Sequence, residues 1–246
     1  MYQFSFTYLF LYLLGRDSYQ NHNQQIVNSS FVVSLRQNSI NEYMLRDTLF
    51  FESGERLFFT ADQHWHHARI IEYCQRPFSN VEEMDEALIT NWNNVVGDDD
   101  IVFHLGDFAK GGSSEWSRLL QRLKGKIYLI LGNHDIKTIG ASFSRFEGVC
   151  MQMIINVKGQ RIYLNHYPFL CYGGAYRDTW QLFAHVHTCP AKTGKDFSRL
   201  SMLFPTQYDV GVDNNNFTPV SFEQINTIIR KQIEYGNHNT PNRHIA

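Results

Sequence analysis

The chain alternates short apolar runs with stretches of helical spacing from Arg56 onward, and this pattern predicts its fold class. Three apolar runs have strand character and pass directly into polar residues: 56–61, 101–105 and 126–131. Three stretches between or after them space their apolar residues as helices do: 68–75, 79–96 and 114–123. This order predicts an α/β fold with parallel strands and right-handed crossovers. The polar residues that follow such strands would meet at one edge of a sheet.

The second half of the chain has a different pattern. The runs 150–157 and 160–165 flank a Lys158-Gly159 turn and predict a β-hairpin, and 181–187 and 208–212 predict two further strands. Capping pairs mark the start of two helices: Ser79-x-x-Glu82 opens the helix predicted over 79–96, and Ser221-x-x-Gln224 opens the C-terminal helix. The buried stripe of the first of these helices is expected to be Met84, Leu88, Trp92 and Val95. Since both halves contribute polar clusters, we expect a site between two sheets of one domain.

Polar residues form five short clusters that end or follow the strand-like runs. They are Asp62, His64, Asp107, Asn133, His134, Asp135, His166, His185 and His187. Carboxylate, amide and imidazole groups are metal ligands. Without His134 and Asp135, the two carboxylates, one amide and four histidines exceed what one tetrahedral ion binds. The number favours two ions sharing a bridging ligand, an arrangement that hydrolyses phosphate esters.

Each cluster permits a chemical interpretation. Asp62 and His64 are two positions apart, so both side chains project to one side of an extended chain. Asp107 could bridge two ions about 3.5–4 Å apart, and Asn133 would add a ligand without further negative charge. His185 and His187 are predicted to point the same way from a strand.

His134 is expected to act on the substrate, by protonating the leaving oxygen or stabilising charge in the transition state. Asp135 could hydrogen-bond the His134 imidazole and raise its basicity. His67 lies one turn past His64 and could face the substrate, whereas His104 is expected in the core or behind the ligands. Three arginines are candidates to neutralise phosphate oxygens, although a surface ion pair is the commoner role: Arg69, Arg76 and Arg177.

Composition bounds the function. The 246 residues are 43% hydrophobic with a formal charge of −2, typical of one sizeable globular domain. Because no basic excess exists, the sequence has no strong nucleic-acid signature, and a small phosphoester substrate is expected. The four cysteines form no CxxC pair, which favours reduced thiols and a cytoplasmic location. Nothing in the sequence indicates an oligomeric state.

The N-terminal stretch differs from the rest. Residues 4–14 are apolar but too few to span a bilayer as a helix, they lack the flanks of a signal peptide, and 21–41 are rich in Asn, Gln and Ser. We predict an appendage over 1–45, a catalytic domain over 46–236 and a polar tail over 237–246. The appendage could be a weak membrane or partner anchor, or could reflect too early a start codon, with Met44 as a later one.

The order D-x-H, G-D, G-N-H-[DE], a lone His and H-x-H, from Asp62 to His187, resembles the calcineurin-like metallophosphoesterases. The resemblance extends over roughly residues 56–235. It implies a four-layer α/β/β/α sandwich of two mixed sheets flanked by helices, with the site at one edge. One departure is Ala184, where the family has Gly before the H-x-H. If that Gly needs positive φ, His185 would be displaced; if it only allows close packing, a methyl group should be tolerated, which is the outcome we expect.

The resemblance also implies a role for each matched residue. One ion would be bound by Asp62, His64, Asp107 and His187, and the other by Asp107, Asn133, His166 and His185. His134 would act on the substrate with Asp135 behind it. Manganese is the first choice of metal, with iron, zinc or nickel as alternatives.

The expected function is metal-dependent hydrolysis of phosphate esters, and phosphodiesters are expected to be better substrates than monoesters. Water or hydroxide held by the two ions would attack phosphorus in line. A nuclease or nucleotide phosphodiesterase is the alternative enzyme, and it would need a groove of basic and stacking residues. A scaffold that kept the fold and lost the chemistry should show broken ligands, and none is broken here.

Overall fold

The computed structural model describes residues 48–187 and 197–239. The appendage predicted over 1–45 lies outside this part of the chain. The last helix extends to Asn239, so it continues into the segment predicted as a polar tail. Within the described ranges, no helix is both long and apolar enough to cross a membrane.

Ten strands, counted within the described residues, form two five-stranded sheets. They are β1 (Leu49–Phe51), β2 (Leu57–Thr60), β3 (Ile101–His104), β4 (Lys126–Ile130), β5 (Gly148–Cys150), β6 (Gln152–Val157), β7 (Gln160–Asn165), β8 (Trp180–Phe183), β9 (Gln207–Asp209) and β10 (Val220–Ser221). The first sheet has the order β10-β2-β3-β4-β5, and the second has the order β1-β6-β7-β8-β9.

Each sheet mixes parallel and antiparallel pairs. In the first sheet β2 to β5 are parallel neighbours, while β10 is antiparallel to β2. In the second sheet β6 and β7 form the predicted antiparallel hairpin, and the remaining neighbours are parallel. The predicted fold class, an α/β fold of two mixed sheets flanked by helices, is confirmed.

The described helices are α1 (Ala68–Tyr73), α2 (Val81–Val95), α3 (Ser113–Leu120), α4 (Phe197–Leu200) and α5 (Phe222–Asn239). Helices α2 and α3 pack on the first sheet through a core rich in tryptophan, including Trp65, Trp92 and Trp116. A second core joins the facing strands of both sheets to α5, through residues such as Phe103, Ile155 and Ile225. The first sheet is therefore packed on both faces, since β3 contributes Val102 to one core and Phe103 to the other.

The capping prediction for α2 was one residue early. Asn80 is the N-cap and accepts from the Glu83 backbone N–H at 2.8 Å, while the Glu83 carboxylate accepts from the Ser79 N–H at 2.8 Å. Val95 is 39% exposed, whereas Val96 is buried in its place. At α5 the predicted pair is present, since Gln224 N–H donates to the Ser221 hydroxyl and Ser221 N–H donates to the Gln224 side chain.

Two strand boundaries differ from the prediction in ways that matter for the site. Cys150 belongs to β5 of the first sheet and not to the hairpin. The strand predicted over 181–187 ends at Phe183, so His185 and His187 lie beyond it. Every residue of β8 is buried, so its apolar run contains no alternation that could mark where the strand stops.

Candidate metal centre

Five of the predicted ligands have left-handed backbones: Asp62 (φ 60), His64 (φ 53), Asp107 (φ 55), His185 (φ 74) and His187 (φ 45). Such conformations cost non-glycine residues of the order of 1–3 kcal/mol each and collect at functional sites. Here backbone hydrogen bonds hold them, with the Asp62 N–H donating to Gly106 O and the His64 N–H to Asp107 O, both at 3.0 Å. The chain therefore turns sharply just past the strands, which directs successive polar side chains to one place.

Two glycines let the ends of β3 and β4 approach each other. Gly106 has a φ of 97, and a Cβ there would lie 2.4 Å from the Gly132 nitrogen. A Cβ on Gly132 would lie 2.3 Å from Asp107 Oδ1. The glycines of the Gly-Asp and Gly-Asn-His-Asp motifs are thus required by backbone packing next to Asp107.

The first half-site consists of Asp62, His64 and His187, which place one ligand atom each within 4.8 Å of one another. Asp62 and His64 follow β2, and His187 follows β8 of the other sheet. His187 Nδ1 lies 2.7 Å from Asp213 Oδ2 and donates to it, since the carboxylate can only accept. That bond leaves Nε2 as the His187 ring nitrogen available to an ion.

The second half-site consists of His166, His185 and Asn133, with Asp107 next to it. His166 Nδ1 lies 2.7 Å from the Leu105 carbonyl and must donate to it, which leaves a lone pair on Nε2. That Nε2 lies 3.2 Å from Asn133 Oδ1 and 3.6 Å from Asp107 Oδ2. A nitrogen lone pair facing two oxygens suits a cation between them.

Asp107 lies between the two half-sites. Its Oδ2 is 3.4 Å from His64 Nε2, 3.6 Å from His166 Nε2 and 3.9 Å from His134 Nε2. Its Oδ1 accepts from the His134 backbone N–H at 3.0 Å. One carboxylate oxygen therefore faces imidazoles from both half-sites, as a bridging ligand requires.

The electrostatics of these residues fit a bound cation. Asp62 Oδ1 and His64 Nε2 are buried and have no hydrogen-bond partner among the described residues. Burial, together with the carboxylates of Asp209, Asp107 and Asp213, raises the pKa of Asp62 to about 8. Burial lowers the pKa of His166 to about 4 and that of His64 well below its usual value. A cation would compensate the buried carboxylates and use the neutral imidazoles.

A family model for the calcineurin-like phosphoesterases matches residues 55–223, which include all of these residues. The chain belongs to this family. Metal-dependent hydrolysis of phosphoesters is the chemistry that membership implies. The two half-sites lie past the ends of β2, β3, β4, β7 and β8, where open α/β sheets place their sites.

Similar proteins come from an archaeon, a phage and a bacterium. An uncharacterized protein of Methanocaldococcus jannaschii is 36% identical over 183 residues, 73% of this chain and 94% of the relative. The gene 66 protein of Mycobacterium phage L5 is 33% identical over 131 residues, 46% of this chain and 63% of the relative. The crystal structure of a protein of unknown function from Aquifex aeolicus matches with a TM-score of 0.54 and 25% identity, and covers 70% of this chain and 98% of that one.

In this phosphoesterase, His134 lies at the open side of the centre. Its side chain is 44% exposed, and its ring centroid is 5.1 Å from that of His64 and 6.0 Å from that of His67. His67 is itself buried, and burial together with nearby cations lowers its pKa to about 4. Both rings therefore border the space next to the first half-site.

The interpretation of Asp135 needs correction. Its carboxylate accepts from three backbone N–H groups, those of Asp107 (2.7 Å), Phe108 (2.8 Å) and Gly132 (2.8 Å). Within the described residues, no hydrogen bond joins it to the His134 ring. Burial raises the Asp135 pKa to about 7, and the three donors oppose that shift. Asp135 thus holds the loops after β3 and β4 together and does not contact the imidazole it was expected to support.

The three arginine candidates differ in their exposure to solvent. Arg69 and Arg177 are exposed, whereas the Arg76 side chain is fully buried and pairs with Asp213 at 2.8 Å. Arg76 is therefore not a phosphate-binding residue. His104 is buried in the aromatic core, as expected, and its Nδ1 accepts from the Gly106 N–H at 3.1 Å.

Sequence reasoning missed Asp213 and Asp209, both of which act on the first half-site. Asp213 accepts from His187, and Asp209 helps to raise the pKa of Asp62. Asp213 follows the predicted strand 208–212, and Asp209 ends the observed strand β9. A polar residue at a strand end is the signal that marks the other clusters, but neither aspartate belongs to the motif pattern.

Proposed function

We propose that this phosphoesterase uses two divalent metal ions to hydrolyse phosphodiesters. Manganese is the proposed metal, with iron, zinc or nickel as alternatives. The observation that carries the proposal is the position of Asp107 Oδ2, 3.4 Å from an imidazole of the first half-site and 3.6 Å from one of the second. Asp62, His64 and His187 would bind one ion, Asn133, His166 and His185 the other, and Asp107 both. When bound, the ions would activate water for in-line attack and neutralise phosphate charge.

His134 is proposed to complete the reaction at the leaving oxygen. Its backbone N–H is fixed to Asp107, while its exposed ring is free to reach a substrate. A neutral His134 could stabilise charge by donating an N–H, and a protonated one could transfer a proton to the departing alkoxide. His67 is proposed to line the substrate side of the same space.

The solvent exposure of the centre supports the assignment of a phosphodiester as the substrate. Asn133 and His134 are both exposed, so the centre opens to solvent along the loop after β4. An open rim leaves room for the second ester group that distinguishes a diester from a monoester. The near-neutral charge of the chain supports a small substrate over a nucleic-acid backbone.

The test compares hydrolysis of bis-p-nitrophenyl phosphate and p-nitrophenyl phosphate by full-length protein, stripped of metal and then supplied with Mn²⁺. We expect turnover only with metal and faster turnover of the diester. His134→Ala should lower kcat about 10²–10⁴-fold, the range typical of general acid catalysis. His66→Ala is the matched control, because that ring pairs with Asp85 at 2.6 Å away from the ligands.

The outcomes separate the candidate functions. Metal-dependent diester turnover that survives in His66→Ala and collapses in His134→Ala supports the proposal. Preference for the monoester would overturn the diester assignment. Hydrolysis of single-stranded DNA but not of the small diester would favour the nuclease alternative. Protein that binds two ions and hydrolyses neither ester would instead favour a scaffold.

A further inference from the structure

A buried ion pair lies directly behind the first half-site. Arg76 and Asp213 are 137 residues apart in the chain, and their side chains are 0% and 3% exposed. Arg76 Nε donates to Asp213 Oδ1 and Nη2 donates to Oδ2, both at 2.8 Å, so the pair is bidentate. Buried ion pairs seldom contribute net stability, because desolvation offsets the attraction. The pair therefore needs an explanation beyond stability.

The guanidinium also holds the backbone that carries the first two ligands. Arg76 Nη2 donates to the Asp62 carbonyl at 2.6 Å, and Nη1 donates to the Gln63 carbonyl at 2.8 Å. The remaining Nη1 hydrogen faces Met84 Sδ at 3.5 Å, so all five N–H groups of the arginine have a partner. These carbonyls belong to the turn in which Asp62 and His64 take left-handed conformations. A lysine, with three donors at one point, could not make the same set.

The carboxylate fixes the third ligand. Asp213 Oδ2 accepts from His187 Nδ1 at 2.7 Å, in addition to the Arg76 bonds. The contact to Asp213 engages Nδ1, so Nε2 is the ring nitrogen left to bind an ion.

We infer that Arg76 and Asp213 are positioning residues for the ion of the first half-site alone. One guanidinium connects all three ligands, Asp62 and His64 through the turn and His187 through Asp213. In the second half-site, His166 is held differently, because its Nδ1 donates to the Leu105 carbonyl and not to a carboxylate. This inference rests on the proposed function, because the ligand assignments come from it.

The same geometry argues against a third ion in this region. Cys74, His187 and Asp213 place ligand atoms within 4.8 Å of one another. Both oxygens of Asp213, however, already accept from the Arg76 guanidinium. A cation there would have to displace a buried positive charge from its partner, so the Asp213 carboxylate supports His187 and is not itself a ligand.

Mn²⁺ titration calorimetry on metal-stripped, full-length protein tests the inference. Asp213→Asn keeps the shape of the side chain but replaces one acceptor oxygen with a donor, so His187 and Arg76 can no longer both be satisfied. We expect two binding steps in the unmodified protein and a 10–100-fold loss of affinity in one of them for the variant. In a His166→Ala background, which removes the second half-site, the remaining step should show the same loss.

Three further variants separate positioning from structure. Glu86→Gln removes the same charge from an exposed ion pair with Arg122 and should change neither step. Arg76→Lys should weaken the same step as Asp213→Asn. Arg69→Lys, at an exposed position of α1, is its control and should change neither step. The double variant Arg76→Leu with Asp213→Leu removes both buried charges. It should recover thermal stability relative to Asp213→Asn without recovering the lost affinity.

Several results would overturn the inference. Equal weakening of both steps, no change in either, or recovery of Mn²⁺ affinity in the double variant would show that the pair is only structural. No Mn²⁺ binding by the unmodified protein would overturn the ligand assignments and the proposed function with them. Selective weakening of one step in protein that hydrolyses no phosphoester would instead support the inference while refuting the proposed reaction.

Discussion

The two half-sites differ in how the protein supports them. In the first, His187 donates to a carboxylate that is itself bound by a buried guanidinium. In the second, His166 donates to the Leu105 carbonyl, a neutral group of the strand end. Both supports orient an imidazole, but only the first brings additional charges into the interior. Comparable ligands can therefore be positioned by a charged network or by the backbone alone.

The difference affects protonation in the metal-free protein. Burial lowers the His166 pKa to about 4, so this ring is neutral at pH 7. In the first half-site, burial raises the Asp62 pKa to about 8, and Asp213, Cys74 and Asp62 raise the His187 pKa to about 11 against the effect of burial. A metal ion entering the first half-site must displace protons, and one entering the second need not displace one from His166.

The largest expected effect comes from the residue shared by both half-sites. Asp107→Asn should weaken both Mn²⁺ binding steps and lower diester turnover at least about 100-fold, the scale for loss of one electrostatic stabiliser at a reaction centre. Metal content and kcat would be measured together. Asp99→Asn, at a side chain that is 75% exposed, is the control and should change neither. If one binding step survives Asp107→Asn unaltered, Asp107 does not bridge.

The pH dependence of Mn²⁺ binding should differ between the half-sites. Because the Asp62 pKa is raised to about 8, this carboxyl is protonated at pH 7 and must release its proton to bind metal. Affinity at the first half-site should therefore rise with pH from 6 to 8, about tenfold per unit for each proton released. In the second half-site, His166 should contribute no proton release over that range, since its pKa is about 4.

Calorimetry in buffers of different ionisation enthalpy measures this proton release. His166→Ala isolates the first half-site and His64→Ala the second. In His166→Ala, Mn²⁺ binding at pH 7 should release at least one proton. In His64→Ala, His166 should release none. Equal release from both variants would contradict the proposed difference.

The smallest effect concerns Ala184, the departure from the family pattern in the second half-site. The left-handed residue is His185, with a φ of 74, while Ala184 is fully buried and its N–H donates to the His166 carbonyl at 3.0 Å. Ala184→Gly should therefore change kcat less than about twofold and cost roughly 0.5–1 kcal/mol of stability. A large gain in Mn²⁺ affinity would show that the methyl group displaces His185.

Local patterns in the sequence predicted much of this architecture. The apolar runs that became β2, β3 and β4 each end next to polar residues, and parallel pairing brought those residues together. The β6–β7 hairpin followed from its Lys-Gly turn. These features depend on residues that are close together along the chain, so one sequence is enough to predict them.

Features that depend on distant residues were not predictable in the same way. Arg76 and Asp213 are 137 positions apart, and no local pattern indicates that they pair. The left-handed turns at Asp62 and His64 break the rule that places i and i+2 on one side, although both ligands still converge. Asp135 was assigned to its sequence neighbour His134, whereas its actual partners include backbone groups 27 and 28 residues away.

Anomalous diffraction from crystals of the full-length protein grown with Mn²⁺ would test the central claim most directly. We predict two peaks about 3.5–4 Å apart, one bound by Asp62, His64 and His187, the other by Asn133, His166 and His185, with Asp107 bridging them. A single peak, or a peak coordinated by Cys74 and Asp213, would contradict the arrangement of two half-sites that share one carboxylate.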